Sequence, residues 1–145
     1  MIALIQRVKE ASVNSNQQTI SSISKGLLAF IAIEPHDNRI LLEKLAYKIL
    51  NYRVFPDNNG NMNFSLLQTQ TELLLVPQFT LAADTKRGLR PGFSNCSQPV
   101  IAVDLFTQLV QHIKDTYSKT YQGNFGEDMD IHLINEGPAT FWLQV

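Results

Sequence analysis

Several features are scarce in this chain of 145 residues, and each scarcity excludes a class of protein. The single cysteine, Cys96, excludes an internal disulfide and any zinc site built from cysteine pairs. The longest apolar run, residues 27–33, is far shorter than the roughly 18 residues that a membrane-spanning helix needs. The amino terminus has neither a basic leader nor a hydrophobic signal core, so the chain is expected in the cytoplasm with no membrane partner.

Charge is the scarcest feature of the composition. Charged residues make up 17% of the chain, against roughly 25% in a typical soluble domain. The sequence instead contains 11 Asn and 11 Gln, and a surface with few charges predicts that a partner covers part of it. The formal net charge of −1 excludes a nucleic-acid binder that works by bulk electrostatics, and no DNA partner is predicted. With 44% hydrophobic residues, residues 1–145 are expected to form one domain around a real core.

Hydrophobic periodicity predicts a mixed α and β chain, with mostly strands and two main helices. The first helix should end near Asn51, and the second should begin at Pro99. Residues 35–38 have turn and N-cap character ahead of the first helix, and residues 82–99 read as a loop. The second helix has apolar positions at helical spacing, namely Val103, Phe106, Val110, Ile113 and Tyr117. Strands are predicted at residues 2–13, 19–24, 27–33, 53–55, 62–67, 71–81, 131–134 and 140–145. Pro77 predicts an edge, bulge or bend within the strand at 71–81.

The common catalytic motifs are absent: the chain has no GxSxG, HExxH, P-loop or GxGxxG sequence. The three histidines lack the spacing of metal ligands, so neither a metal site nor a cofactor is predicted. One loop is locally basic, because residues 84–93 contain three basic residues, Lys86, Arg87 and Arg90, and one acidic residue, Asp84. This loop is a candidate for contact with phosphates, and an ordinary solvated loop is the alternative.

Two segments together resemble the signatures of the D-aminoacyl-tRNA deacylases. The first signature is Gln-Phe-Thr-Leu-Ala-Ala-Asp at residues 78–84, followed by Arg-Pro-Gly-Phe at residues 90–93. The second signature is Asn-Glu-Gly-Pro-Ala-Thr-Phe at residues 135–141. Shorter matches at residues 5–8 and 52–55 fall in the family's order, so the resemblance covers essentially the whole chain.

The resemblance implies an enzyme that hydrolyses the ester between a D-amino acid and the 3′ end of tRNA. It implies an α+β domain with a β-barrel-like core of mostly antiparallel strands, active as a homodimer with two sites at the interface. Gly137-Pro138 would be a cis peptide that enters the partner subunit's site and leaves no room for an L side chain, which is discrimination by exclusion. Glycine on mischarged tRNA-Ala would pass the same filter.

The resemblance also implies roles for single residues. The catalytic residues would be Gln78, Phe79 and Thr80, with backbone N–H groups around the last two binding the developing oxyanion. Thr80 has no base beside it in sequence, so its side chain is a poor nucleophile, and assistance from the 2′-hydroxyl of the tRNA suits this sequence better. Arg7 would hold the Gly137-Pro138 loop, and Met129 would line the site.

This sequence departs from the family pattern at two positions. Pro77 stands where the family commonly has Ser, and Ala139 replaces the commoner Val. Two other functions stay open: a small RNA-binding module without chemistry, and a related editing enzyme that clears L-Ala or glycine from tRNA. Arg7 argues against the editing enzyme, because it matches the family residue that holds the loop in the orientation that excludes L-amino acids.

Overall fold

The first strand, β1 (Ile2–Ser15), organises the sheet because it pairs with three other strands. Along one edge, its first half is antiparallel to β3 (Gly26–Ala32) and its second half to β2 (Gln18–Ile23). Along the other edge it pairs with β8 (Asp130–Gln144), also antiparallel. All neighbours of β1 therefore run in the antiparallel sense that the resemblance implies.

The sheet continues from β3 through two parallel strands and curls back on itself. β6 (Glu72–Pro77) lies parallel to β3, and β7 (Thr120–Gln122) lies parallel to β6. The Ser21 hydroxyl of β2 donates a hydrogen bond to the Gln122 carbonyl at 2.6 Å, so the two edge strands meet. The sheet is thus a nearly closed barrel, as expected. The computed structural model describes residues 1–86 and 88–145.

Two main helices, α1 (Arg39–Asn51) and α3 (Pro99–Thr116), pack against this sheet and against each other. The Asn38 Oδ1 atom caps α1 by accepting from the backbone N–H groups of Ile40 at 3.0 Å and Leu41 at 3.2 Å. Pro99 occupies the first turn of α3, where a missing N–H costs nothing. Both helices therefore begin where their capping residues predict.

The hydrophobic core has two main parts because the central strands are buried on both faces. Successive side chains of a strand point to opposite faces, so Leu27 packs under the helices while Leu28 packs inside the barrel. Leu73 and Leu74 of β6 divide in the same way. The uninterrupted apolar run at 27–33 reflects this double burial. The barrel cluster consists of Val8, Ala11, Val13, Ile23, Leu28, Leu74 and Val76.

Two predicted strands are shorter than their apolar runs indicated. The strand predicted at residues 71–81 ends at Pro77, and a 3-10 helix (Phe79–Ala82) follows. The strand predicted at 62–67 stops at Phe64: β5 (Met62–Phe64) pairs with β4 (Phe55–Pro56), and the short helix α2 (Leu66–Thr69) comes next. The Ser65 N–H donates to the Gln68 side chain at 3.0 Å, which starts that helix.

Three further details were wrong or missed. Val103 was predicted as a core position of α3 but is 41% exposed, since the buried stripe begins with Ala102 and continues through Leu105 and Phe106. The two predicted tail strands are parts of one strand, β8, joined by a bulge. β7 has only three residues, too few for periodicity to predict. In the described ranges, no helix combines the length and apolarity needed to cross a membrane.

We expect Tyr117→Phe to lower the free energy of unfolding by about 1 kcal/mol at neutral pH. The buried Tyr117 hydroxyl donates to the Thr71 carbonyl and lies 3.4 Å from the Leu66 carbonyl, and phenylalanine leaves both without that donor. Burial, with a smaller effect of the Glu72 carboxylate, raises the pKa of Tyr117. A raised folded-state pKa stabilises the fold below the unfolded pKa of about 10, and this stability is lost as pH rises through the folded pKa.

Urea denaturation at pH 7 and above pH 10 measures both effects. The wild type should lose part of its stability in the alkaline range, and Tyr117→Phe should lack that component. Tyr121→Phe, at an exposed position of β7, is the control. Identical alkaline losses in the wild type and Tyr117→Phe would contradict the assignment.

Candidate active site

The first signature lies where β6 ends. Pro77 is the last residue of β6 in register with β3, opposite Ile31. The Gln78 N–H then donates to the Ile31 carbonyl at 2.7 Å, and the chain turns into the 3-10 helix. Pro77, which lacks an N–H, therefore sits where the sheet ladder stops and where its ring is tolerated.

Two backbone N–H groups at the start of the 3-10 helix have no acceptor among the residues that the structure describes. Leu81 is the first residue of this helix whose N–H finds a carbonyl, that of Gln78 at 3.2 Å. Throughout residues 1–86 and 88–145, the N–H groups of Phe79 and Thr80 donate to no protein acceptor, as expected for the first residues of a helix. Both residues are exposed. Adjacent free N–H groups of this kind can stabilise negative charge on a substrate oxygen.

The Thr80 side chain is not set up as a nucleophile. Its Oγ1 atom accepts a hydrogen bond from the Gln78 side-chain amide. In the described part of the chain, no histidine or carboxylate hydrogen-bonds to it. A threonine hydroxyl without a base is a weak nucleophile. Gln78 and Thr80 thus form a polar pair beside the free N–H groups.

Aromatic and thiol groups border this segment. The Phe79 ring is 54% exposed and tilts against Phe93, with 5.3 Å between ring centroids. The Cys96 thiol lies 3.4 Å from the Phe79 carbonyl, and burial raises its pKa, which keeps it a neutral thiol. The residues matched to the family, 78–84 and 90–93, are therefore neighbours in space as well.

The second signature forms an outward bulge of β8. Thr140 pairs with Gln6 and Asn135 pairs with Val8, so residues 136–139 have no partner on β1. The Gly137-Pro138 peptide is cis, and both residues are exposed. The Asn135 side-chain amide spans the base of the bulge by donating to the Arg7 carbonyl at 3.4 Å, the Thr140 hydroxyl at 3.3 Å and the Ala139 carbonyl at 3.5 Å.

The structure places Arg7 beneath this bulge. Arg7 is buried, and its Nη1 group donates to the Val54 carbonyl. Its Nε atom lies 3.2 Å from a carboxylate oxygen of Glu136, the residue before Gly137. Sequence reasoning matched Arg7 to the loop but missed its ionic partner. The available signal was the position of Glu136 inside the second signature.

Within one chain the two signatures are far apart. Gln78 is anchored at Ile31, which pairs with Ala3, whereas Asn135 pairs with Val8, opposite Gly26. These positions are five residues apart along β1, an offset of about 17 Å at roughly 3.3 Å per residue. The signatures also lie on opposite sides of β1, because β6 follows β3 and β8 pairs with the other edge. The predicted catalytic segment and the predicted chiral selector do not meet in a single subunit.

The remaining predicted residues lie around the barrel and on the loop. Met129 is half-buried against the barrel cluster, with its sulfur close to Gly123. The basic loop is closed at its base by two backbone hydrogen bonds between Asp84 and Gly92, of 2.7 and 2.9 Å. Lys86 and Arg90 are exposed on it, and Arg87 lies outside the described residues. No cluster of three potential metal ligands occurs in the described part of the chain.

Comparison with known proteins agrees with both signatures. The family model described as D-Tyr-tRNA(Tyr) deacylase matches residues 4–144. Curated relatives named D-aminoacyl-tRNA deacylase include one from a Shewanella species at 53% identity, one from Pseudomonas putida at 48% and one from Haemophilus influenzae at 50%, each covering 100% of both chains.

Solved structures share the fold over nearly their whole length. A structure titled "c-Myc DNA Unwinding Element Binding Protein" is 34% identical, with a TM-score of 0.95 over 100% of this chain and 99% of that chain. A probable eukaryotic D-amino acid tRNA deacylase, 14% identical, has a TM-score of 0.84 over 99% of this chain and 98% of that chain, which is a likeness of fold. By its family model and its curated relatives, the chain belongs to the D-Tyr-tRNA(Tyr) deacylase family of hydrolases.

Proposed function

We propose that this protein hydrolyses the ester bond of D-aminoacyl-tRNA, releasing a free D-amino acid and tRNA. The observation that carries this proposal is the match of the family model across residues 4–144, which includes both signatures. The free N–H groups of Phe79 and Thr80 supply what ester hydrolysis requires of the protein. They lie at an exposed segment that a tRNA end can reach.

In the proposed reaction, a water oxygen attacks the ester carbonyl carbon, and the bond to the terminal ribose oxygen breaks. The water proton passes to that ribose oxygen as it leaves, so the products are an amino acid and a tRNA with a free hydroxyl. The Phe79 and Thr80 N–H groups would bind the carbonyl oxygen as it gains negative charge. Because Thr80 lacks a base, the neighbouring 2′-hydroxyl of the tRNA would orient the water and relay the proton.

We further propose that the protein acts as a homodimer in which each site receives the Gly137-Pro138 bulge of the partner. The offset of about 17 Å along β1 between the signatures supports this arrangement, since one chain alone leaves each site incomplete. A two-fold axis through the middle of β1 would bring each bulge to the other subunit's 3-10 helix.

A surface suited to such contact lies between the two signatures. Leu4, which lies between Ala3 and Val8 on β1, pairs with Phe30 on one side and with Trp142 on the other. Trp142 is 51% exposed, and Leu4 and Phe30 are only partly buried. Large aromatic side chains are enriched at protein interfaces. The low fraction of charged residues in the chain agrees with a partner subunit covering this surface.

Chiral selection would follow from exclusion at the bulge. Gly137 has no side chain, so the partner's backbone can approach the substrate α-carbon closely and block the position of an L side chain. Such a filter tests the side chain of a D residue very little, and several D-amino acids should therefore be accepted. Glycine has no side chain to exclude, so glycine mischarged on tRNA-Ala would also be cleared.

The tRNA itself would be held by local contacts. Lys86 and Arg90 are exposed on the loop that directly follows the 3-10 helix, and Arg87 belongs to the same basic segment of the sequence. Phosphates of the tRNA end are the natural partners of such side chains. Met129, which is half-buried against the barrel cluster, would line the site.

Release of free D-tyrosine from D-Tyr-tRNA, measured against buffer alone, tests this function. The same samples should be compared for binding of charged and uncharged tRNA. Hydrolysis would support the deacylase. Equal binding of both tRNAs with no loss of ester would instead favour the RNA-binding module.

A further inference from the structure

Glu136, immediately before Gly137, is held between two cations. Its Oε2 atom lies 3.2 Å from Arg7 Nε, and its Oε1 atom lies 3.9 Å from Lys25 Nζ. The Arg7 side chain is 8% exposed, the Glu136 side chain 26% and the Lys25 side chain 53%. The carboxylate therefore has one buried and one solvent-facing cation.

The contact with Arg7 is ionic and largely shielded from water. Both Arg7 Nε and the facing Glu136 oxygen are buried, and neither makes an aligned hydrogen bond in the described part of the chain. A buried charge is costly unless an opposite charge compensates it. Among the described residues, the Arg7 guanidinium donates a hydrogen bond to the neutral Val54 carbonyl and forms its ion pair with Glu136, so Glu136 is its charge partner there.

Few other contacts fix the bulge. Residues 136–139 have no strand partner on β1, and the hydrogen bonds of the Asn135 amide are long, at 3.3 to 3.5 Å. Gly137 and Pro138 are exposed, whereas Ala139 is buried. The charged attachment closest to Gly137 is therefore the Glu136 carboxylate.

We propose that Glu136 is a positioning residue, which Arg7 and Lys25 clamp so that the Gly137-Pro138 bulge keeps one orientation. This inference rests on the proposed function for its effect on substrate choice. Loss of the carboxylate leaves the bulge with several orientations. The filter against L residues then weakens, because exclusion depends on where the backbone lies to within about an ångström.

Hydrogen–deuterium exchange tests the clamp without any substrate. In Glu136→Gln, the protected amides among residues 140–142, which pair with β1 directly after the bulge, should exchange at least about tenfold faster than in the wild type, because the charged attachment is lost. Lys25→Met, at a half-exposed site with little risk to folding, should give a smaller increase in the same segment. Glu10→Gln, the same substitution at an exposed position of β1, should give none.

Hydrolysis rates on D-Tyr-tRNA and L-Tyr-tRNA test whether the clamp affects the choice between D and L substrates. Glu136→Gln should lower the ratio of the D rate to the L rate by about tenfold or more, and Glu136→Asp, which keeps the charge, should restore part of it. Unchanged exchange at residues 140–142 in Glu136→Gln and Lys25→Met would overturn the clamp. Faster exchange with an unchanged D-to-L ratio would overturn the positioning role. A wild type that leaves D-Tyr-tRNA intact would refute the proposed function, and the exchange result would still decide the clamp.

Discussion

Replacing Gly137 by valine is expected to slow hydrolysis of D-Tyr-tRNA by about 100-fold or more, with little change in stability. A Cβ atom at this position meets only the Asn135 side-chain oxygen, at 3.2 Å, and a side chain can move aside. The fold should therefore tolerate the change. The added methyl groups would instead occupy the space into which the substrate α-carbon must fit.

Single-turnover rates for Gly137→Ala and Gly137→Val form a graded series for this measurement. Alanine should have an intermediate rate, and both variants should unfold within a few degrees of the wild type. A valine variant that hydrolyses D-Tyr-tRNA as fast as the wild type would remove the bulge from the mechanism.

Gly26→Ala is expected to lower the free energy of unfolding by about 3 kcal/mol or more, or to prevent folding. A Cβ atom here lies 1.9 Å from the Glu72 carbonyl oxygen and 2.7 Å from its carbonyl carbon. Both atoms belong to the backbone of the parallel neighbour β6, so nothing flexible can yield. β3 and β6 would have to separate at the start of their ladder.

Gly92→Ala is the matched control for this prediction. Its Cβ atom lies 3.7 Å from the nearest Asp84 atoms, an ordinary van der Waals distance, and the change should cost well under about 1 kcal/mol. Urea denaturation of both variants measures the difference. Equal midpoints for Gly26→Ala and the wild type would show that the two strands do not approach each other as described.

The elements that the sequence predicts well are those with local causes. The apolar run at 27–33 predicts a doubly buried strand because each of its faces meets a separate hydrophobic cluster. Helix α1 begins directly after its cap Asn38, and α3 begins at Pro99, so the chemistry that starts each helix is local. Where a chain turn depends on distant residues, the sequence is less decisive. The apolar run after residue 71 continues past Pro77, and the proline predicts an edge, bulge or bend without specifying that the ladder with β3 ends there.

For the candidate site, the sequence indicates which residues take part but not how they are arranged in space. The two signatures mark Phe79, Thr80 and Gly137 in the sequence, yet neither pattern contains their spatial relation. Their offset of about 17 Å along β1 arises from the register of β1 with β3 and β8, which no local pattern encodes. The Arg7–Glu136 ion pair joins residues from opposite ends of the chain, so only the folded sheet brings them together.

The most direct test of the central claim is the hydrolysis of D-Tyr-tRNA and L-Tyr-tRNA by the wild-type protein, followed in parallel under single-turnover conditions. We predict rapid loss of the ester from the D form and a rate on the L form close to that of buffer alone. Equal rates on the two forms, or no ester loss from the D form, would contradict the account.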